Sequence, residues 1–549
     1  MKKLFFFIIC FTLWSSLSPA QQTSKIIIEN ADFSDKNQTE IPGAIVATGN
    51  VRILHDGVRM TCNKAYLFEA ENYVKAFGDF KLNQGDTLHL ESRYAEYNGN
   101  KRFAYATGNV NMRSPDMRLV TDTIFFDRAA QQAYYNSYGT IYSGENTLKS
   151  KSGRYFMPQK KYQFLTAVTL TNPKYVLKSN HLDYYTNSGH AYVFGPSTIT
   201  GKENYIYTEK GFYDTKKNLA HLLTNSYIKY DTQIIRGDSL YYDRNREFSS
   251  ATNNVSVTDT VNKFLVRGHY GEVYKKQDSL FIEKRAVAVT LVESDSLYTH
   301  AKRLVVTGKP GNRIMRGYNN ARFYKTDMSG KCDSIHSDEA RGLTQLIKNP
   351  VVWNGENQLT GDVIHIISNS KTEQVDSLKV LNNAFIIQKD SLGTGFNQIK
   401  GKNLYGKFKD NKLHEVDLIG NAEKIVYMYD DLELFGIDKG MGSSIHLEIR
   451  DNKIKSAKLI KKIESQVYPD AELPQNVRKL RGFVWRGDEM IKSKEDIFPP
   501  EEQELHEEIV KESEEKKQEE DKPMEPLQET LDYDKNHPRP KPPVKTEKD

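Results

Sequence analysis

Along most of the chain, apolar and polar residues alternate with a period of two. In RFAYATGNV (102–110), Phe103 and Tyr105 share one face while Ala104 and Ala106 share the other, and in GNVRI (49–53) Val51 and Ile53 flank Arg52. Successive side chains of a strand point to opposite faces, so this alternation predicts half-buried strands joined by short polar connections. The alternation is punctuated regularly. ATGNVRI (47–53), AFGDFKL (76–82), ATGNVNM (106–112) and SYGTIYS (137–143) place Gly49, Gly78, Gly108 and Gly139 at spacings of 29, 30 and 31 residues. Each copy reads as a strand, a polar turn, a return strand, a Gly-Asn turn and a new strand. Self-similarity at this period predicts stacked repeats, each burying its apolar face against its neighbours.

The same grammar continues in FFDRAAQQAYYNSYGT (125–140), DYYTNSGHAYVFGP (183–196), GFYDTKKNLAHLLTN (211–225) and LYYDRNREFSSATNN (240–254). It drifts in YGKFKDNKLHEVDLIGN (405–421) and HLEIRDNKIKSAKLIKK (446–462), which keep the turn and lose the Tyr-Asp. Between Asp278 and Ile347 the spacing stretches, and Lys309-Pro310-Gly311 reads as a break where two sub-arrays would meet. Beyond Tyr468 the repeat stops. The Trp-bearing segment 469–500 is expected to cap the array, since an open stack needs its last edge blunted. From Glu501 the chain is Glu/Lys-rich and then Pro-rich, a composition expected to stay disordered apart from a transient helix. The expected division is therefore 1–20, 21–260 for the clear repeats, 261–468 for divergent repeats of the same array, 469–500 and 501–549.

Composition agrees with an all-β chain. Only 38% of the 549 residues are hydrophobic, yet 32 Tyr and 25 Phe bring aromatics to 11%, a balance that suits half-buried strands. The first twenty residues read as an export signal: Lys2 and Lys3, the apolar run LFFFIICFTLW (4–14), then the small-residue cleavage site at Ser18-Pro19-Ala20. That run falls short of the ~20 residues a membrane span needs. Cys10 would leave with the signal, and Cys62 and Cys332 are too far apart in sequence for metal or disulfide spacing. The net charge of +5 divides into −8 for residues 499–549 and +13 for the rest, so the body favours an anionic partner.

Candidate chemistry is sparse. Gly237-Asp238-Ser239-Leu240 matches an esterase nucleophile block, but Asp-Ser/Thr-apolar recurs at Asp86, Asp122, Asp278, Asp295, Asp333 and Asp376. A tripeptide that opens strand after strand reads as a turn device, because Asp and Ser side chains bond nearby backbone. The 13 histidines are scattered singly, without zinc spacing, and there is no phosphate loop or nucleic-acid motif. No catalytic residue, metal or cofactor is expected. What remains is the apolar side of the strands. Val51, Ile53, Phe80, Leu82, Val110 and Met112 follow the Gly turns at alternate positions and share one side, as filled core or as an open trough suited to acyl chains. Arg52, Lys81 and Arg113 would sit at its rim.

ATGNVRI, AFGDFKL and ATGNVNM, each preceded by an alanine-rich or aromatic return strand, resemble the OstA-like (organic solvent tolerance) family, most clearly over 25–260 and more faintly to 468. The resemblance implies an elongated, twisted β-jellyroll, solenoid-like in its ~30-residue repeats, whose apolar interior carries lipid acyl chains without catalysis. It implies a periplasmic location, lipopolysaccharide as cargo, and edge-to-edge stacking with other jellyroll components of a transport bridge, with the outer-membrane assembly protein and with copies of itself. The alternative is a structural or adhesive β-repeat protein of the envelope with no lipid cargo. Two features depart from the family pattern: the chain is far longer than one bridge domain, and it carries the acidic, Pro-rich tail.

Overall fold

The computed structural model describes residues 25–36, 41–85, 88–292, 295–369, 374–409, 412–450 and 453–520. The expected signal and the tail beyond Glu520 lie outside them. The fold is all-β, built from antiparallel strands joined by short turns. It divides into two compact units, Met1–Asn225 and Ser226–Asp549.

In unit 1 the Gly-Asn pairs do not separate strands, as the sequence suggested, but lie inside them. Ile45–His55 pairs with Val58–Phe68 on both sides of Gly49-Asn50, with the register shifting between Thr48 and Val51. Both residues of each pair are left-handed: Gly49 and Asn50 at φ 77° and 45°, Gly78 and Asp79 at 70° and 43°, Gly108 and Asn109 at 83° and 57°. This is a β-bulge, which inserts an unpaired residue and bends the strand. Glycine takes that conformation without penalty, and Asn or Asp tolerates it better than other residues. The sequence signal for a mid-strand bulge is the same as for a hairpin turn, so the two are confused on paper. Several later copies keep the left-handed pair and lose the glycine, as at Asn253-Asn254, Lys284-Arg285, Asn319-Asn320 and Asn382-Asn383, while Gly420-Asn421 retains it. The stretch 278–347, where the repeat seemed to fade, is accordingly strand throughout most of its length.

One copy of the recurring Asp motif is tied to a bulge. Asp238 accepts hydrogen bonds from the amide of Asn254 in the neighbouring bulge, at 2.9 and 3.2 Å. Asp32 does the same with Asn50, and Asp362 with Asn383. The Asp of Gly237-Asp238-Ser239-Leu240 therefore ties one strand entry to the next bulge.

Unit 2 runs from Tyr227–Tyr230 to Glu464–Tyr468 and then into single-turn helices and one α-helix, α1 (Pro500–Glu520). Its strands align an outward row in register: Val289, Tyr298, Tyr324, Ser329, Trp353, Gln358, Ile387, Gln398, Ile425. Residues 469–498, read from the sequence as an end cap, lie across this row as a strap. Leu473 and Leu480 pack with Phe385, Ile387, Ile425 and Ile437; further on, Ile491, Ile497 and Phe498 pack with Val287, Val289, Tyr298 and Tyr324. Two buried glutamines hold its backbone. Gln398 donates to Arg478 O and accepts from Leu480 N, both at 2.8 Å; Gln358 donates to Val484 O and accepts from Arg486 N, both at 2.7 Å. A side-chain amide can satisfy one donor and one acceptor of a passing backbone at once. α1 begins inside the stretch expected to be disordered. Among the described residues no helix is long and apolar enough to cross a membrane.

Candidate functional site

The residue two positions before each of the first three bulges is alanine: Ala47, Ala76 and Ala106. Antiparallel register extends them into one row, Ala47–Ala65–Ala76–Ala95–Ala106, crossing five strands from Ile45–His55 to Phe103–Ser114. All five are buried. A methyl group reaches too little distance to fill the space between two packed walls, and three of the five, Ala76, Ala95 and Ala106, border a cleft.

That cleft offers about 70 Å³ to a water-sized sphere, several times the roughly 10–15 Å³ that one water needs. Its lining is almost entirely apolar. The strand Tyr73–Gln84 contributes to it on both sides of its bulge, with Val74 and Ala76 before Gly78 and with Phe80 and Leu82 after Asp79. Met60, Leu90, Ile124 and Phe126 complete most of the wall. An apolar cavity of this kind stays dry and takes apolar guests.

The lining also has polar groups, His55, Gln84, Glu96 and Arg128 among them. His55, buried, meets the Tyr97 hydroxyl at 2.9 Å through Nδ1, with the rings edge to face at 5.1 Å. Arg128 lines the same space and reaches Asp56 at 3.7 Å. Burial raises the Tyr97 phenol above its ordinary range, with Arg128 pulling the other way. On the outward face of the same strands, rings stack from Tyr66 through Phe77, Tyr94, Tyr105 and Phe125 to Tyr134. There Glu96 accepts from the hydroxyls of Tyr73, Tyr94 and Tyr105. Burial and then this carboxylate push all three phenols up, so they remain donors.

Among the six residues singled out from the sequence, Phe80 and Leu82 line the cleft. Met112 lines a smaller neighbouring cavity with Leu119, Ile124 and Tyr135. Val51, Ile53 and Val110 point inward and are fully buried, but they do not border the cleft. Arg52, Lys81 and Arg113 alternate with them and are exposed. The alanine row escapes sequence reasoning, although Ala-x-Gly-Asn/Asp stands in the chain three times. Both thiols are buried, and burial pushes Cys62 up to about 11 and Cys332 up to about 12, so neither is a ready nucleophile.

A bulged-strand β-array with an apolar cleft between its walls is the class that fold and site define. Residues 23–180 match the model of the family described as OstA-like protein, and the whole cleft falls within that segment. The resemblance read from the Gly-Asn motifs thus holds there. Among solved structures the chain is similar to LptH of Pseudomonas aeruginosa, titled the LptA homologous periplasmic component of the conserved lipopolysaccharide transport device. The match has 15% identity, covers 26% of this chain and 99% of that one, and has a TM-score of 0.20. No curated protein matches the chain.

Proposed function

We propose that this protein is an exported, periplasmic component of lipopolysaccharide transport. It binds acyl chains in the alanine-floored cleft and passes lipid toward the outer membrane without catalysing a reaction. The observation that carries this reading is the in-register run Ala76–Ala95–Ala106, which borders an apolar space inside a segment that matches the OstA-like family. Phe80 and Leu82 contact the chain, and Met60 and Leu90 close over it from the same wall. Partners join at the sheet edge. The edge strand segments Ile27–Asn30 and Phe33–Asp35 expose Ile27 and Phe33 at 56% and 77%, and an open edge is a template for adding another strand. Other jellyroll components of a transport bridge, the outer-membrane assembly protein or a second copy fit there.

The test fills the cleft. The protein is purified from envelopes and its bound lipid is extracted and weighed by mass spectrometry. Wild type carries lipopolysaccharide, whereas the double variant Ala76→Leu, Ala95→Leu folds with unchanged circular dichroism and carries none. Equal lipid on both proteins contradicts the reading. One observation favours a second reading, a structural or adhesive β-repeat without cargo: later in unit 1 large side chains, Phe164, Leu182 and Tyr213 among them, are buried in the interior. An empty wild-type protein selects it.

A further inference from the structure

In unit 2 the bulge Lys284-Arg285 puts two non-glycine residues in the left-handed region, at φ 58° and 62°, a conformation retained only where the surroundings impose it. Beside it stand Arg322 and the buried His300. The groups that cover these three side chains come from the strap and the start of α1. The Arg285 guanidinium lies 3.8 Å from the Phe498 ring centre, Arg322 donates to the Asp496 carbonyl at 3.5 Å, and His300 faces the Glu502 carboxylate.

The cover fits badly at its charged centre. His300 Nδ1 lies 2.7 Å from the Ala286 carbonyl oxygen and so carries the proton. Its Nε2 then presents a lone pair to Glu502 Oε2, 3.9 Å away. That oxygen and Arg285 Nε are both buried without a hydrogen-bond partner. Burial raises the Glu502 carboxyl above its usual range despite the two guanidinia beside it. Buried polar groups left without partners cost stability instead of adding to it.

We infer that Arg285 and Arg322, beside the neutral His300, form an anion site for a phosphate-bearing group, and that α1 is an acidic lid over it. A phosphate offers three acceptor oxygens to guanidinium forks shaped to receive them, and it meets the Arg285 Nε–H that one carboxylate leaves unmet. The lid's buried apolar anchor is Ile509. Its ties to the strands are His506 with His269 at 2.9 Å and Ser513, which donates to Asp238 at 2.5 Å and accepts from Asn254 at 3.1 Å, and Gln503 donates to the Glu495 and Phe498 carbonyls of the strap at 3.3 and 3.4 Å. The strap before it, clamped by Gln358 and Gln398, stays in place while α1 lifts from Pro499-Pro500. The site belongs to unit 2, whereas the acyl cleft belongs to unit 1, and it does not depend on that cargo.

The test uses the full chain and vesicles of phosphatidylcholine with phosphatidic acid. Hydrogen exchange of α1 speeds up when these vesicles are added to wild type, while the strand Phe264–Tyr274 stays protected. Loosening the lid with Glu502→Ala and Ser513→Ala tightens vesicle binding on the order of tenfold, and adding Arg285→Ala and Arg322→Ala returns it to the wild-type level. Inorganic phosphate as competitor separates the sources: displacement of the vesicles assigns the site to a phosphate group alone, and no displacement assigns it to a lipid headgroup. Unchanged α1 exchange on vesicle addition overturns the inference. So does a gain that survives loss of both arginines, or one seen equally with vesicles whose only anion is oleate.

Discussion

In residues 45–114 the position two before each glycine-led bulge is Ala47, Ala76 or Ala106, whereas in residues 161–201 the position two before each bulge is Phe164 or Val193. The second set belongs to a row as regular as the first: Phe164 opposes Leu182, which opposes Val193, which opposes Gly211. Phe164, Leu182 and Val193 are buried. Strand pairing, bulge and alternation are shared, and yet a cleft opens over Ala76, Ala95 and Ala106 of the first row while large buried side chains occupy the second. One residue per repeat decides whether the interior can accept a guest, because the walls are held apart by strand geometry and not by the side chains between them.

Substitutions at these rows break the comparison in a definite order. Phe164→Ala removes a fully buried ring from the solid region and lowers unfolding stability by about 3–5 kcal/mol, read from a denaturant midpoint followed in unit 1. Gly108→Ala strikes the bend itself. It forces a side chain into φ +83° and brings its Cβ to 2.9 Å from the Arg93 side chain, at a cost of about 1–3 kcal/mol, and it shifts the hydrogen-exchange protection of Phe103–Ser114. Ala191→Leu overpacks the solid region, where Ala191 sits in register between Tyr184 and Tyr213, and costs about 1–3 kcal/mol. Ala95→Leu makes the same change over the cleft and costs less than about 1 kcal/mol, since the added atoms enter empty space. If Ala95→Leu proves as destabilising as Ala191→Leu, the two interiors do not differ.

Much of this is readable in the chain. Period-two alternation gives the strands and assigns Val51, Ile53, Val110 and Met112 correctly to the inward side. The bulges stand out as punctuation but read as turns, because Gly-Asn supplies left-handed φ equally to either. They become invisible once Asn253, Lys284 or Asn319 replaces the glycine, since tertiary pairing can hold those residues left-handed without a local signature. The alanines give no warning because alanine is a weak strand former and announces nothing by itself. Their meaning lies in cross-strand register, which brings Ala76 and Ala95 together across 19 residues of sequence. The strap is the least legible. Its anchors Leu473, Leu480, Ile491 and Phe498 follow no period, and their partners lie in distant strands.

Photo-crosslinking at two adjacent positions tests the central claim most directly. A crosslinking amino acid placed at Leu82 faces the cleft, and one placed at the exposed Lys81 faces away from it. In living cells, lipopolysaccharide adducts at position 82 and none at 81 are the predicted result. Adducts at neither position, or equal adducts at both, in a protein that folds and is exported, would contradict it.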